Sequence, residues 1–473
     1  MVATRLDAYA QRWRRHAALA CLPVGARGDA LRSCLSSAAV AYGHAIALLR
    51  DGQERTVRRT ASVLARLPSP EACFRSPGGG VEQGPVADAL RARLARVQNL
   101  QIVAQTRDAY ALALETYELA GASHLPRLEA RAALAIAISA PTTGEESPKQ
   151  WLHRAHELAV ACGDDHIATG ASLSLISEHV RRRDFDGARR WIRHAEGYLG
   201  ETGHPRQRAT LNARIGHLHR AEGDLDQALE YARKVLEAYV DFDGPHSLEA
   251  SKSRVAFGHA LLAAGRYEEA KVPLETAIAD LVPKFGETHA VVATACNGRG
   301  GASYFLGEYA TAVKYYERSI AIRRDLNGRD SLQVATLESN LGGVLTDRGD
   351  HTAAIATLRH ANAVMTEHYG PDDLRLVDVW LNLGRALSIA GHDEAGLKIL
   401  WRAATLYEGR GDATATQRGL IDLNLGEAYE RQARIATAVE HYVRAHELFR
   451  TRLGDDHPNT KEAADALARI QRP

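Results

Sequence analysis

The chain has 473 residues, 25% of them charged and 6% aromatic, with a formal net charge of +1. That balance gives no bulk charge for binding a polyanion, and no apolar run approaches the ~20 residues that a membrane helix needs. Five cysteines (Cys21, Cys34, Cys73, Cys162 and Cys296) without a C-x-x-C pair suit a reducing compartment and argue against structural zinc, so the expected location is the cytoplasm.

Residues 1–85 read as an N-terminal helical bundle. Thr4 to Ala20, Asp29 to Arg50 and Gly52 to Leu67 have helical spacing, and Pro68, Pro70 and Ser76-Pro77-Gly78-Gly79-Gly80 mark a loop. The opening segment MVATRLDAYAQRWRRH is amphipathic and carries an acid, unlike a signal peptide. The first 110 residues hold 16 arginines, no lysine and 8 acids. Arg12, Arg14, Arg15, Arg55, Arg58, Arg59 and Arg66 could meet an acidic partner. With eight lysines in the whole chain, a solvated face of a composition that favours arginine explains them better. No nucleic-acid partner is expected.

Residues 86–204 read as three helix pairs without a strict register. They are Val86–Arg107 with Tyr110–Ala120, Leu125–Ser139 with Pro148–Ala161, and Asp165–Arg182 with Phe185–Leu199.

From 205 to 456 a strict register takes over. Gly216, Gly258, Gly300, Gly342, Gly384 and Gly426 recur every 42 residues. Seven residues beyond each stand Gly223, Gly265, Gly307, Gly349, Gly391 and Ala433. Five further on stand Ala228, Ala270, Ala312, Ala354, Gly396 and Ala438. A fourth column reads Gly244, Gly286, Gly328, Gly370, Asp412 and Gly454. Each copy is a helix, a tight turn and a second helix, as in VAFGHALLAAG and YEEAKVPLETAIADLV.

A mid-helix glycine costs about 1 kcal/mol relative to alanine. Six at one register imply that a second helix crosses too closely for a side chain, with the small residue five after the turn as its partner. Gly286 would end a helix in the left-handed conformation, and Thr288, Asp330 or Asp456 would cap the next. Residues 457–473 read as a polar-faced capping helix, which a stack of repeats needs because its last apolar face has no neighbour.

The run Asn340-Leu341-Gly342, Gly349, Ala354 resembles the tetratricopeptide repeat (TPR). The 42-residue period, with GETHAVVAT and GDDHPNTKEA in the loops, resembles the kinesin-light-chain variant. That resemblance implies an all-α fold, a right-handed α-solenoid of antiparallel helix pairs whose first helices line a concave surface that holds a peptide or a protein. A second resemblance is carried by Trp13, His16, Ala20-Cys21, Arg27-Gly28, Leu31-Arg32, Cys34-Leu35, Val57, Leu67-Pro68 and Glu71-Ala72-Cys73. It is similar to the segment before the TPR array of large bacterial serine/threonine kinases, which implies a signalling setting and a kinase or its substrate as partner.

No catalytic constellation is present. The glycine-rich loop, V-A-I-K, H-R-D and D-F-G of a kinase are missing, and DFDG at 184–187 and 241–244 falls at helix junctions. No phosphate loop occurs. His153 and His156 share a helix face without the H-E-x-x-H spacing, so no metal, cofactor or catalytic residue is expected.

The candidate binding residues are polar ones on the first helices. Two before each first-column glycine stand Arg214, Ala256, Gly298, Asn340, Asn382 and Asn424, and three successive asparagines can pair with a peptide backbone whatever its sequence. His217, Lys252, His259, Asn297 and Arg385 fall on the same face. The expected function is a non-catalytic interaction scaffold. The competing reading is a sensor whose array closes on a small peptide and controls an effector.

Overall fold

The computed structural model describes residues 84–470 apart from 103–104, 141–146, 201–203, 409–414 and 456, with only positions 11, 39, 42, 43, 46 and 82 before them. The N-terminal bundle expected from the sequence, its arginine cluster and the kinase-like landmarks lie outside the described residues.

The described residues are α-helical, with no strand among them, and fall into two compact units that divide after Ala264. The first unit contains α1 (Pro85–Ile102), α2 (Thr106–Ala122), α3 (Pro126–Ser139), α4 (Pro148–Ala161), α5 (Asp165–Arg181), α6 (Phe185–Leu199), α7 (Pro205–Glu222), α8 (Leu225–Asp243) and α9 (Leu248–Ala263). The second contains α10 (Tyr267–Phe285), α11 (Ala290–Phe305), α12 (Tyr309–Asn327), α13 (Leu332–Arg348), α14 (His351–Tyr369), a 3-10 turn Leu374–Leu376, α15 (Val377–Ile389), α16 (Asp393–Tyr407), α17 (Ala415–Arg431), α18 (Ile435–Leu453) and α19 (Pro458–Ile470).

Within each unit the helices pack as successive antiparallel pairs, an all-α solenoid. Within each unit the first helices touch their second helices, and several also touch one another, as in α1 with α3, α5 with α7, α13 with α15 and α15 with α17. Each second helix packs on the first helix of the next pair. The first helices therefore form an inner row and the second helices an outer one.

The first-column glycines make the pairs close. A Cβ built on Gly384 would stand 2.7 Å from the Leu400 side chain and 3.3 Å from the Gly396 carbonyl oxygen. On Gly426 it would stand 2.6 Å from the Tyr442 ring, and on Gly342 it would overlap the buried Leu358 side chain. The side chain that fills the space thus sits sixteen residues on. The small residue of the third column lies one helical turn before it and lets the two backbones cross. Ala312, Ala354 and Ala438 in that column are fully buried.

Backbone geometry explains the other two columns. Gly223 and Gly349 end their helices in the left-handed conformation (φ 91° and 94°). Gly286 also has positive φ, but its ψ of 169° is extended rather than left-handed helical, a region that essentially only glycine enters. Ala433 adopts φ 57° where the other copies have glycine. The caps differ from expectation. His289 Nδ1 accepts from the Val291 amide at the start of α11, and Ser331 is the N-cap of α13, each one residue beyond Thr288 and Asp330. The extended glycine shifts the helix start, leaving Asp330 to receive His360 instead. Asp456 lies outside the described residues.

The same substitution has opposite signs at two of these glycines. Gly197, in the last turn of α6, has open space at its Cβ, so Gly197→Ala should raise stability by up to about 1 kcal/mol through helix propensity. At Gly342 the Leu358 overlap should outweigh that gain and lower stability by about 1–3 kcal/mol. Urea unfolding of the two variants, followed by far-UV circular dichroism, measures both.

Candidate functional site

The inner row is where polar side chains collect against an otherwise apolar scaffold. In the second unit, Asn340 Nδ2 on α13 donates to Asn297 Oδ1 on α11 at 3.3 Å. Asn382 on α15 donates to the Ser339 carbonyl oxygen at 3.1 Å and to its Oγ at 3.2 Å. Asn424 donates to Leu420 O of its own helix at 2.8 Å. The amide nitrogens of all three asparagines are therefore engaged by the scaffold.

Beside that line runs a charged chain. Tyr304 Oη donates to Asp347 Oδ2 at 2.7 Å, Arg385 Nη2 donates to Asp347 Oδ1 at 2.5 Å, and Arg385 Nε lies 3.7 Å from Glu427. Burial works against the Arg385 charge, but Asp347 and Glu427 outweigh it and hold its pKa above the ordinary guanidinium value. Burial pushes the carboxyl of Glu427 up despite Arg385, and that of Glu462 on α19 up with Glu427 adding to it. Tyr304, Asp347 and Glu427 are site residues that column reading misses. They stand four, five and one residues after their first-column glycines, so no common position marks them.

In the first unit the inner row is cationic. Arg214 and His217 share α7, and Arg220 Nη2 lies 3.5 Å from His217 Nε2. Burial lowers the pKa of Arg214 and also, with Arg220 and Arg214 nearby, that of His217. Arg131 on α3 is reached by solvent yet crowded by protein, and burial lowers its pKa although Asp164 opposes this. On α9, Lys252 pairs with Glu249 of its own helix at 2.6 Å, and His259 is half-buried. The structure thus joins Asn297 to Asn340, sets Arg214 and His217 one turn apart on α7, ties Asn382 and Arg385 to neighbouring first helices, and leaves Asn424 and Lys252 bonded within their own helices.

Imidazoles also gather on the outer row. His153 and His156 of α4 meet Trp191 of α6 with ring centroids 5.4 and 4.9 Å away, and His156 Nε2 lies 2.9 Å from Tyr198 Oη. Among the described residues no group of three or more His, Cys, Asp or Glu is arranged to hold a metal ion. None of the described helices is long and apolar enough to cross a membrane.

Stacked antiparallel pairs with a glycine-dependent crossing define an α-solenoid repeat protein. Residues 207–281, 291–367, 333–409 and 417–472 match the Tetratricopeptide repeat family model, and the chain belongs to that family. It is a protein-interaction scaffold on a fold whose members are generally non-catalytic. No curated protein matches the sequence.

Among solved structures, the apo form of RapI is 13% identical with a TM-score of 0.56, over 77% of this chain and 98% of that one. Aspartyl phosphate phosphatase F from Bacillus subtilis is 13% identical with a TM-score of 0.52, over 80% and 97%. The TPR-like repeats of a putative kinesin light chain from Podosopora anserina are 17% identical with a TM-score of 0.38, over 44% and 99%. The first two show the fold alone.

The two units should respond oppositely to mild acid. Burial holds His153, His156, His166 and His217 below the ordinary histidine value, so the unfolded chain takes up protons first. The stability these groups leave intact above about pH 6.5 is lost as pH falls through that value. Glu427, Glu462 and Asp378 are held above the carboxylate range by burial. Their contribution is favourable at low pH and is lost as pH rises through about 4.5 and upward. Hydrogen exchange on the full chain at pH 7.5 and 5.5, corrected for intrinsic rates, should show protection falling in α4–α7 while α15–α17 hold or gain. A uniform fall would contradict the assignment.

Proposed function

We infer that the inner row is the docking surface for a peptide or a partner protein, and that this docking serves bacterial signalling next to a serine/threonine kinase. One observation supports the docking part: Asn297, Asn340, Asn382, Arg385 and Asn424 are half-buried polar residues on successive first helices whose other faces are buried. Asparagine amides keep acceptor and donor capacity beyond the one or two bonds each makes here, so an extended backbone can be read without regard to its sequence. The kinase setting is supported by the landmarks between Trp13 and Cys73. The chain itself contributes no residue set for phosphoryl transfer and acts by holding.

A photoreactive benzoylphenylalanine at position 340 or 382 should crosslink a partner in cells of the source organism, whereas the same probe at exposed Arg359 on α14 should not. The Asn340→Ala, Asn382→Ala, Asn424→Ala triple variant should lose capture of that partner with little change in its helical melt. Crosslinking from position 359 alone would move the docking surface to the outer row. A partner that is neither a kinase nor a kinase substrate would remove the signalling part and leave the docking part.

A further inference from the structure

Several buried histidines of the chain stand against carboxylates. His179 Nδ1 lies 2.7 Å from Asp184, His360 Nδ1 2.6 Å from Glu338, and His441 Nδ1 2.7 Å from Asp422. The outer row of the first unit departs from this pattern. Helices α4 and α6 both pack on α5, and their side chains meet across it. His153 and His156 of α4 and His194 of α6 surround Trp191, with ring centroids 5.4, 4.9 and 5.0 Å from the indole. His156 and His194 are themselves 5.9 Å apart. Of the three, His156 has Tyr198 Oη as a hydrogen-bond partner, and none meets a carboxylate among the described residues. His179 of α5 acts on His153 through its charge, and its Nε2 is buried without a partner.

The acids around this groove are engaged elsewhere. On α3, Glu129 is turned to Arg154, 3.9 Å away; on α5, Glu178 holds Arg181 and Arg182; Asp184 holds His179, and Asp186 of α6 holds Arg189. Glu196 of α6 is two residues from His194, a spacing that does not bring side chains face to face. Glu157, the one acid of α4, acts on His153 and His156 more weakly than the burial and the cations that oppose it, Lys149 and His179 at His153, His194 and His153 at His156. Trp191 and Tyr198 can face an imidazolium favourably, but its counter-charge is missing. A polyphosphate backbone would need a run of permanent cations, and exposed Glu157 and Glu196 interrupt both helices. A polypeptide suits the groove better, because Val160, 50% exposed, continues the face of His153 and His156 with apolar surface.

We propose that the groove between α4 and α6 is a second docking surface, on the outer row of the first unit, for an acidic segment of a partner protein whose carboxylates are the counter-ions of His153, His156 and His194 in their imidazolium form. In the free chain His153 and His156 hold a proton less well than an ordinary histidine. A bound carboxylate reverses that, so docking takes up protons and tightens as pH falls through about 6.5. The inner-row docking reading is not needed for it.

Fluorescence anisotropy on the full chain, with labelled decaglutamate and with decaglutamine as the neutral control, tests this at pH 7.5 and 5.5. Decaglutamate should bind about 10-fold more tightly at the lower pH, within the usual span of coupling between two binding events, and decaglutamine should bind at neither. The His153→Gln, His156→Gln, His194→Gln triple variant should lose that gain and keep its affinity at pH 7.5. His194 is exposed, so the His194→Gln single variant, which should lose part of the gain, keeps the test valid even where the triple variant folds poorly. Calorimetry at pH 6.5 in two buffers of different ionisation heat should show net proton uptake by the unaltered chain and less by His194→Gln. Binding of decaglutamate that is indifferent to pH, a gain that survives in both variants, or no binding at pH 5.5 would overturn the proposal. A labelled thymidine decanucleotide bound more tightly than decaglutamate at pH 5.5 would make this a nucleic-acid surface and overturn it as well.

Discussion

The structure depends on how closely two helix backbones cross within each pair. At Gly342, Gly384 and Gly426 the first helix brings its bare Cα against a large side chain of the second, Leu358, Leu400 or Tyr442. A third-column residue, Ala354, Gly396 or Ala438, keeps the crossing tight one turn earlier. A shallow pair of this kind cannot cover its own apolar surface, so the next pair completes it and the units grow by stacking. The rows follow from that. First helices approach one another, second helices stay outside, and residues at one register position of the repeat line up along the inner row.

Charge is then distributed by what the inner row leaves uncompensated. In the second unit the balance is internal, because Asp347 serves both Tyr304 and Arg385, and Glu427 stands behind them. In the first unit the balance is incomplete around Arg214. An interaction scaffold discriminates among partners through such imbalances, since a desolvated charge gains most from the ligand that neutralises it.

The fold was legible in the sequence because backbone geometry writes itself into residue type. A positive φ favours glycine, so Gly223, Gly286 and Gly349 marked the ends of helices, and the pairs from Pro126 to Leu199 were bounded within about one residue even without that register. Side-chain bonding was less legible. Thr288 and Asp330 were plausible caps, but the extended glycine before each delays the helix until His289 and Ser331. The asparagine column was visible as a line, yet its bonds to Asn297 and Ser339 depend on a neighbouring helix 43 residues away. The chain from Tyr304 to Glu427 left no trace in the period, because its members come from different register positions. The lack of a partner for Arg214 is a property of space that no single-residue pattern records.

The crossing itself is tested most directly by a double-mutant cycle between Gly342 and Leu358. If the added methyl is unwelcome because of Leu358, then Gly342→Ala should destabilise the native chain but become neutral or stabilising, by up to about 1 kcal/mol, once Leu358→Ala has emptied the space. An equal loss from Gly342→Ala in both backgrounds would mean that the glycine does not serve the close approach, and the account of the repeat would fail.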